Sequence, residues 1–223
     1  MKDTCVGFVC KEDLNKSNRY TELTKQNIKF WSQLYPVYVL TNNPSEFENS
    51  NCKTILDTTY YSTFNRFDLL NKLQKKYKKS IYLDCDDLFT DKNLNLKDIP
   101  EGIHAYGNWV ITWSGAKKMD YFKIWAKNID VEDSVMFPCE SVFILNTNHL
   151  WDKTYKEILN LRLIARQTQL EAGDDSEWSS HHGVERCEAI GIYVACKRSN
   201  FTLHLNSKFA EPLYKSLPYL KYN

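Results

Sequence analysis

Glycine is scarce in this chain, with 7 residues among 223, and no Gly-rich loop of the kind that cradles phosphate groups is present. A bound phosphate would therefore be held by a metal ion and by side chains. Net charge is also nearly absent, because 29 Lys and Arg residues offset 28 Asp and Glu residues. This balance gives no electrostatic reason for binding nucleic acid, and we expect no nucleic-acid partner.

Regular cysteine spacing and long apolar runs are missing as well. The 7 cysteines include no CxxC pair, and Cys5, Cys10, Cys139 and Cys196 lie in apolar runs, which is typical of buried thiols in a reducing compartment. The first apolar run, 4–10, is too short for a secretory signal, and no later run is long enough to span a bilayer. We therefore expect a cytoplasmic protein without a membrane span.

Apolar runs and helical periodicities alternate along the first half of the chain. The strands are predicted at 4–10, 37–40, 53–56 and 80–83, and the intervening helices at 17–35 and 62–77. Strands that alternate with helices in this way indicate βαβ units and a mainly parallel sheet. The fold class predicted from the pattern is therefore α/β.

The second half of the chain is less regular. It predicts a strand at 103–112, a helix at 115–128, a strand at 141–145, helices at 151–170 and 184–197, and a last short strand at 201–205. No internal repeat, low-complexity linker or clear domain boundary interrupts the sequence. One compact domain is the expectation.

Three carboxylates follow one apolar strand within four positions, namely Asp84, Asp86 and Asp87. The carboxyl end of a strand is where open α/β sheets bind ligands. Carboxylates crowded there repel one another unless a cation lies between them, and hard oxygen ligands suit Mg²⁺ or Mn²⁺. The run is typical of a metal–phosphate site at a strand tip, and equally of an acidic loop that merely follows a strand.

The motifs around this strand resemble, in kind and in order, the DxD region of GT-A glycosyltransferases. The stretch 63–70 predicts a helix that carries Arg66, and Asp84-Cys85-Asp86 ends the next strand. In that superfamily a nucleotide-sugar-binding α/β half comes first, an Arg-bearing helix follows, and the DxD motif terminates the next strand. The resemblance spans most of the chain and depends on this order of motifs.

Three segments of the second half resemble further parts of the same superfamily. The stretch that begins at Glu140 is similar to the strand after which family members place contacts to the donor sugar. The pair Asp174-Asp175 resembles an acidic site near the reaction centre. His204 and Lys208 resemble the C-terminal His segment, with a Lys shortly after it, of the retaining galactosyl or glucosyl type related to glycogenin.

The resemblance implies a single GT-A-like, Rossmann-like domain over residues 1–223, with a mainly parallel central sheet flanked by helices. Residues 1–90 would form the nucleotide-binding half, and residues 91–223 the half for acceptor and donor sugar. The implied activity is that of a metal-dependent hexosyltransferase, which moves a sugar from a nucleotide sugar, expected to be a UDP-sugar, to a glycan, a glycoprotein or another hydroxyl acceptor. The sequence leaves open the donor sugar, the acceptor and whether the anomeric configuration is retained.

Glycosyl transfer leaves a diphosphate, and the charge that develops on it needs a cation. The resemblance assigns Asp86 to this ion, Mn²⁺ or Mg²⁺, while Asp84 would bind the ion as well or bind the donor by holding its ribose or sugar. It makes His204 an imidazole ligand, which Mn²⁺ tolerates better than Mg²⁺. Lys208 would neutralise the diphosphate. His204 is equally typical of an ordinary histidine in an amphipathic strand.

Three other residues would bind the donor. Asp57, at the end of the third strand, is placed to contact the base or ribose, although Asp is also a common turn residue there. Arg66 would pair with the donor or with the DxD carboxylates, or form a surface ion pair with an acid such as Asp68. Glu140 would bind hydroxyls of the donor.

An inverting reaction also needs a carboxylate base to deprotonate the acceptor hydroxyl. Asp175 is predicted at the reaction centre, with Asp174 as the second candidate. A solvated loop is the alternative interpretation of this acidic pair.

Two other functions remain open. Asp84 and Asp86 after an apolar strand also resemble the first motif of haloacid-dehalogenase-type phosphatases, in which the first Asp is the nucleophile. The stretch similar to their second motif, 39–42, precedes this strand in the chain, which is the reverse of the order in those enzymes. A non-catalytic module that binds sugar nucleotides is the other alternative.

Overall fold

The structure, a computed structural model, describes residues 3–11, 19–59, 64–85, 88–89, 94–106, 108–112, 127, 129, 134–138, 141–171 and 188–216. The strands are β1 (Thr4–Val9), β2 (Val37–Thr41), β3 (Lys53–Leu56), β4 (Lys79–Leu83), β5 (Gly102–His104), β6 (Asn108–Thr112), β7 (Ser134–Pro138), β8 (Val142–Asn146) and β9 (Leu203–His204). The helices are α1 (Arg19–Trp31), α2 (Asn65–Gln74), α3 (Trp151–Glu171), α4 (Glu188–Ser199) and α5 (Glu211–Lys215), with a 3₁₀ turn at Pro44–Phe47.

A seven-stranded sheet forms the centre of the molecule, in the order β3-β2-β1-β4-β8-β5-β9. Strand β8 runs antiparallel to both of its neighbours, and the other pairs in this sheet are parallel. The predicted α/β class, with a mainly parallel sheet flanked by helices, is therefore confirmed. Strands from both halves of the chain, before and after residue 90, share this sheet.

Two apolar cores lie on opposite faces of the sheet. Cys5 and Val9 of β1 point into the core that includes residues of α2, α3 and α4, whereas Val6 and Phe8 point into the core shared with α1 and α5. All residues of β1 are buried. An apolar strand without alternation is what a parallel sheet covered on both faces requires.

Gly7 allows α2 to pack directly against the central strand β1. A Cβ atom at this position would lie 2.8 Å from Leu69 Cδ2 and 2.9 Å from Leu73 Cδ1, closer than carbon atoms pack. Helix α2 follows β3 and runs back towards the start of β4, so its first turn lies at the carboxyl end of the sheet.

The prediction of one strand at 103–112 is wrong in one respect. The chain forms β5 in the central sheet and then β6, which pairs with β7 in a separate two-stranded sheet. The dipeptide Gly107-Asn108 is a turn signal that marks this break in the sequence. Most of the helix predicted at 115–128, and the first residues of the one predicted at 184–197, lie outside the described residues.

Burial of the cysteines agrees with the prediction where the structure describes them. Cys5, Cys10 and Cys196 are buried free thiols, whereas Cys139 lies outside the described residues. In the described part of the chain, no helix combines the length and the apolar character needed to cross a bilayer.

Two stacked histidines connect β5 to the edge strand β9. The rings of His104 and His204 lie 4.2 Å apart, and His104 is fully buried. Nε2 of His104 donates to the Pro100 carbonyl at 2.9 Å, so Nδ1 is the acceptor for the Ser207 hydroxyl at 2.9 Å. Burial lowers the pKa of His104 to about 4, opposed by the Pro100 bond and assisted by the nearby His204.

Replacing Gly7 with Ala is expected to destabilise the protein by about 1–3 kcal/mol, because the added methyl overpacks the contact between α2 and β1. Gly191→Ala in α4 is the control, since its Cβ would lie 3.2 Å from Phe64 and Ala favours a helix. Urea unfolding measures both variants. Equal free energies of unfolding for the two would contradict the close approach at Gly7.

Stability is expected to fall as the pH drops from about 6.5 towards 4. In this range His104 takes up a proton in the unfolded chain but not in the folded chain. The free energy of unfolding therefore falls by about 3 kcal/mol between pH 6.5 and 4. His104→Gln should reduce the slope of stability against pH, whereas His149→Gln, at an exposed histidine, should leave it unchanged. Urea unfolding at stepped pH gives the slopes, and equal slopes in all three proteins would refute the assignment.

Candidate functional site

The order of the strands creates a crevice between β1 and β4. From β1 the chain proceeds to β2 and β3 on one side and returns on the other side as β4. Helices α1 and α2 accordingly pack on opposite faces of the sheet. Ligands of open α/β sheets bind outside the carboxyl ends of the strands at such a reversal. The carboxyl ends of β1 and β4 are therefore where a site is expected.

Asp84, the first carboxylate of the DxD motif, directly follows β4. Its backbone N–H donates to the Ser141 carbonyl at 2.9 Å, which extends the pairing of β4 with β8. The Tyr82 hydroxyl donates to Oδ1 of Asp84 at 2.5 Å. Arg66 Nη2 lies 3.9 Å from the same oxygen, which is too far for a hydrogen bond but close enough for charge attraction.

Arg66 lies in the first turn of α2 and is buried, with 3% of its surface exposed. Its guanidinium carbon lies 5.2 Å from the centre of the Tyr82 ring, a cation–π distance. A surface ion pair, one of the alternatives considered from the sequence, does not fit this burial. The structure instead brings Arg66 to Asp84, and its contact with a donor stays a prediction.

Asp57 follows β3 and forms a buried ion pair with Lys11, which follows β1. Lys11 Nζ lies 3.1 Å from Asp57 Oδ1, and the two side chains are 1% and 11% exposed. Lys11 also donates to the carbonyl and the hydroxyl of Thr59 at 2.9 and 3.0 Å. Thr59 in turn donates its backbone N–H and hydroxyl to Asp57 Oδ1.

Burial acts on both members of this pair. It is the largest effect on Lys11 and lowers the pKa of the ammonium group, although Asp57 raises it. Burial would raise the pKa of Asp57, but the hydrogen bonds from Thr59 and Lys11 outweigh it and the pKa is lowered. The carboxylate of Asp57 is therefore ionised and matched by a cation.

A second polar cluster joins α2 to α3 beside this ion pair. Asp68 accepts hydrogen bonds from the Tyr155 hydroxyl at 2.7 Å, from Asn65 at 3.0 Å and from Arg162 at 3.4 Å. The charges of Asp68 and Arg162 also act on the pKa of Lys11, so the two clusters are neighbours. The acids at this edge of the sheet are thus interleaved with bases.

His204 lies elsewhere in the sheet. It belongs to β9, three positions away from β4 in the strand order, or about 14 Å at the usual strand spacing. Its Nε2 is 3.1 Å from the Glu101 carbonyl, before the first residue of β5, and so points towards the amino-terminal edge. This placement does not support an ion shared by His204 and Asp84, and we leave His204 out of the proposed ligand set.

Lys208 lies on the carboxyl side of β5. Its neighbour Ser207 donates its backbone N–H to the Ala105 carbonyl, just after β5. The Lys208 side chain is exposed, with Nζ 5.3 Å from the centre of the Phe209 ring. Its role in neutralising a diphosphate stays a prediction.

The remaining predicted site residues, Asp86, Glu140, Asp174 and Asp175, lie outside the described residues. Their roles stay predictions. Within the described ranges, no three His, Cys, Asp or Glu side chains are grouped so that they could hold a metal. Asp84 is the one described residue of the two carboxylates predicted to bind the metal; its side chain is 21% exposed, and Oδ2 accepts no hydrogen bond from a described residue. A carboxylate oxygen is a ligand that Mn²⁺ and Mg²⁺ prefer.

Sequence reasoning missed Lys11 and Tyr82. The only signals were a lysine two positions after a fully buried strand and a tyrosine two positions before Asp84. Residues two apart on a strand share a face, so Tyr82 is on the same side of β4 as Asp84. No spacing rule connects Lys11 to Asp57, because their contact joins strands that are far apart in sequence.

Comparisons with known proteins add a similarity of fold. No family model and no curated protein matches the chain. Among solved structures, it is similar to the Aq1419 protein of Aquifex aeolicus VF5, with 13% identity, a TM-score of 0.49, and coverage of 97% of this chain and 91% of that one. It is also similar to the galactosyltransferase LgtC in complex with donor and acceptor sugar analogues, with 12% identity, a TM-score of 0.44, and coverage of 90% and 72%. Similarity at this level concerns the course of the backbone and not the site.

Replacing Lys11 with Met is expected to destabilise the protein by about 3–5 kcal/mol, because it leaves the buried carboxylate of Asp57 without its cation. Combining it with Asp57→Asn should recover part of this loss, since a neutral amide still accepts from Thr59 and needs no cation. Urea unfolding of the wild type, both single variants and the double variant gives the coupling free energy. Additive effects of the two substitutions would argue against the ion pair.

Proposed function

We propose that this protein is a GT-A-like glycosyltransferase that moves a hexose from a nucleotide sugar, a UDP-sugar, to a glycan or another hydroxyl acceptor. The observation that carries the proposal is the arrangement at the crevice between β1 and β4. There the DxD residue Asp84, whose Oδ2 accepts no hydrogen bond from a described residue, lies beside Arg66, while Lys11 follows β1 and forms an ion pair with Asp57, which follows β3.

Two further features support this proposal. The chain has 7 glycines and no Gly-rich loop, so a diphosphate in this crevice must be bound by a cation and by side chains. The mixture of acids and bases suits a ligand that presents both phosphate oxygens and hydroxyl groups, because carboxylates accept from hydroxyls whereas Arg donates to phosphate. A nucleotide sugar combines these groups.

The proposal gives the residues of the site distinct roles. Asp84 and Asp86 hold Mn²⁺ or Mg²⁺, which supplies positive charge for the departing diphosphate when it is bound. Arg66 lies behind Asp84 and limits repulsion between the two carboxylates. Asp57 accepts from the base or ribose, and Lys208 neutralises the diphosphate.

The role of Asp86 rests on the sequence alone, and so do two further roles. Glu140, which precedes Ser141 and the start of β8, would bind hydroxyls of the donor sugar. Asp175, or its neighbour Asp174, would act at the reaction centre, as a base if the reaction inverts the anomeric carbon. The donor sugar, the acceptor and the stereochemical outcome are not part of the proposal.

The proposal predicts that UDP-sugars raise the melting temperature only with Mn²⁺ or Mg²⁺ present. A ligand at a hundredfold excess over its dissociation constant should add about 2.7 kcal/mol of stability. Thermal-shift measurements with UDP-, GDP- and dTDP-sugars, with and without Mn²⁺, test this expectation. If no nucleotide sugar shifts the melting temperature with metal present, the proposal fails.

Substitutions separate the transferase from its alternatives. Asp86→Asn and Asp84→Asn should abolish the metal-dependent shift and the release of UDP, whereas Asp98→Asn, at an exposed carboxylate, should leave both unchanged. A metal-dependent shift without sugar transfer would identify a non-catalytic binding module. Metal-dependent hydrolysis of a phosphate monoester, lost in Asp84→Asn and seen without any nucleotide-sugar effect, would identify a phosphatase.

A further inference from the structure

The side chain of Tyr82 is held in one position by its neighbours. It lies on β4 directly beside Gly7 of β1, and 2% of its surface is exposed. The guanidinium of Arg66 lies against its ring, and the ring of Phe143 on β8 lies 6.4 Å away, centre to centre. A rigid aromatic side chain packed in this way fixes the direction of its hydroxyl group.

This hydroxyl determines how Asp84 is oriented. It donates to Oδ1 of Asp84 at 2.5 Å. The Arg66 cation lies on the side of the same oxygen, at 3.9 Å. The backbone of Asp84 is fixed independently by its bond to the Ser141 carbonyl. Both the main chain and one carboxylate oxygen are therefore constrained, whereas Oδ2 accepts no hydrogen bond from a described residue.

We propose that Tyr82 is a positioning residue that makes Asp84 present a single oxygen, Oδ2, to the divalent cation, and that this favours Mn²⁺ or Mg²⁺ over Ca²⁺. The inference rests on the proposed function, because it assumes that Asp84 binds a cation. It goes further by assigning metal selectivity to a residue that does not touch the ion.

The selectivity follows from how the ions bind carboxylates. Mg²⁺ and Mn²⁺ take six ligands in octahedral geometry, which a carboxylate satisfies through one oxygen. Ca²⁺ takes six to eight oxygens and accepts a carboxylate through both. For both oxygens of Asp84 to face an ion, Oδ1 would have to leave the Tyr82 hydroxyl and the ion would have to approach Arg66. The fixed orientation thus keeps Oδ1 of Asp84 away from the ion. Ca²⁺ loses a ligand in this way, whereas Mn²⁺ needs only Oδ2.

Tyr38 offers a matched control on the same row of the sheet. It pairs with Gly7 from the other side, on β2, and is 4% exposed. Its hydroxyl bonds to the Tyr77 hydroxyl at 3.0 Å, away from the DxD motif. Tyr38→Phe and Tyr82→Phe therefore each remove one hydroxyl from a buried tyrosine, but only Tyr82→Phe releases Asp84.

The first measurement needs no ligand. Each of the variants Tyr82→Phe and Asp84→Ala removes the same hydrogen bond, so the double variant should be less destabilised than the sum of the two. Urea unfolding of the three variants should show this coupling as a factor of about ten in the unfolding equilibrium constant. The same cycle with Tyr38→Phe should be additive. Additive effects of Tyr82→Phe and Asp84→Ala would overturn the inference whatever the protein binds.

The second measurement is calorimetric titration of Mn²⁺ and Ca²⁺ into protein saturated with UDP, with UDP alone as the blank. Tyr82→Phe should lower the ratio of Mn²⁺ to Ca²⁺ affinity about tenfold, or about 1.4 kcal/mol, because Ca²⁺ gains the second oxygen of Asp84 whereas Mn²⁺ keeps the one that it uses. Tyr38→Phe should leave both dissociation constants within about twofold of the wild type, since it does not contact Asp84. A general loss of folding would weaken both ions alike, so the ratio of the two constants is the readout.

The outcomes separate the two proposals. If Tyr82→Phe has the same ratio of Mn²⁺ to Ca²⁺ affinity as the wild type, the inference is overturned and the proposed function stays intact. If the wild type binds neither ion with UDP, the proposed function and the selectivity both fail. The unfolding cycle then still shows whether Tyr82 fixes Asp84.

Discussion

The need to match buried charge controls the carboxyl edge of this sheet. Three carboxylates there each lie near a cation, with Asp57 3.1 Å from Lys11, Asp68 3.4 Å from Arg162 and Asp84 3.9 Å from Arg66. An ionised carboxylate buried without a partner would cost several kcal/mol, so these pairs are a condition for placing acids at the edge at all. They also fix the architecture, because Arg66 and Asp68 lie in the first turn of α2 and reach the edge only if α2 packs closely on Gly7.

The sequence predicted the fold where one local pattern decides the structure. The strand 53–56 and the helix that begins at Trp151 have the predicted bounds within one residue, because apolar runs and helical periodicity are local signals. The same reasoning wrongly predicted one strand over 103–112. Its apolar pattern continues from β5 into β6, and the choice between two sheets depends on partners, β8 and β7, that lie more than twenty residues further along the chain.

The site was predictable where it follows from strand order and not where it depends on contacts through space. Asp57 and Asp84 share an edge because parallel strands end on the same side of a sheet. Lys11 and Tyr82 act through partners that their own neighbours in sequence do not indicate. The position of His204 could not be predicted either, since a motif near the end of the chain carries no information on which position in the sheet its strand will take, and β9 takes the outer edge.

Asp57 and Asp84, which follow β3 and β4, differ in how closely positive charge and hydrogen-bond donors surround them. Oδ1 of Asp57 accepts from three donors, of which one is the Lys11 cation at 3.1 Å and two belong to Thr59, so little of its charge is left for a ligand. Asp84 has a neutral hydroxyl and a cation too distant to donate a hydrogen bond, while its side chain is more exposed. Among the described residues, Asp84 is therefore matched less closely by positive charge than Asp57, and a divalent cation would gain more free energy there. This difference supports the proposed contact of Asp57 with a neutral base or ribose and the proposed metal site at the tip of β4.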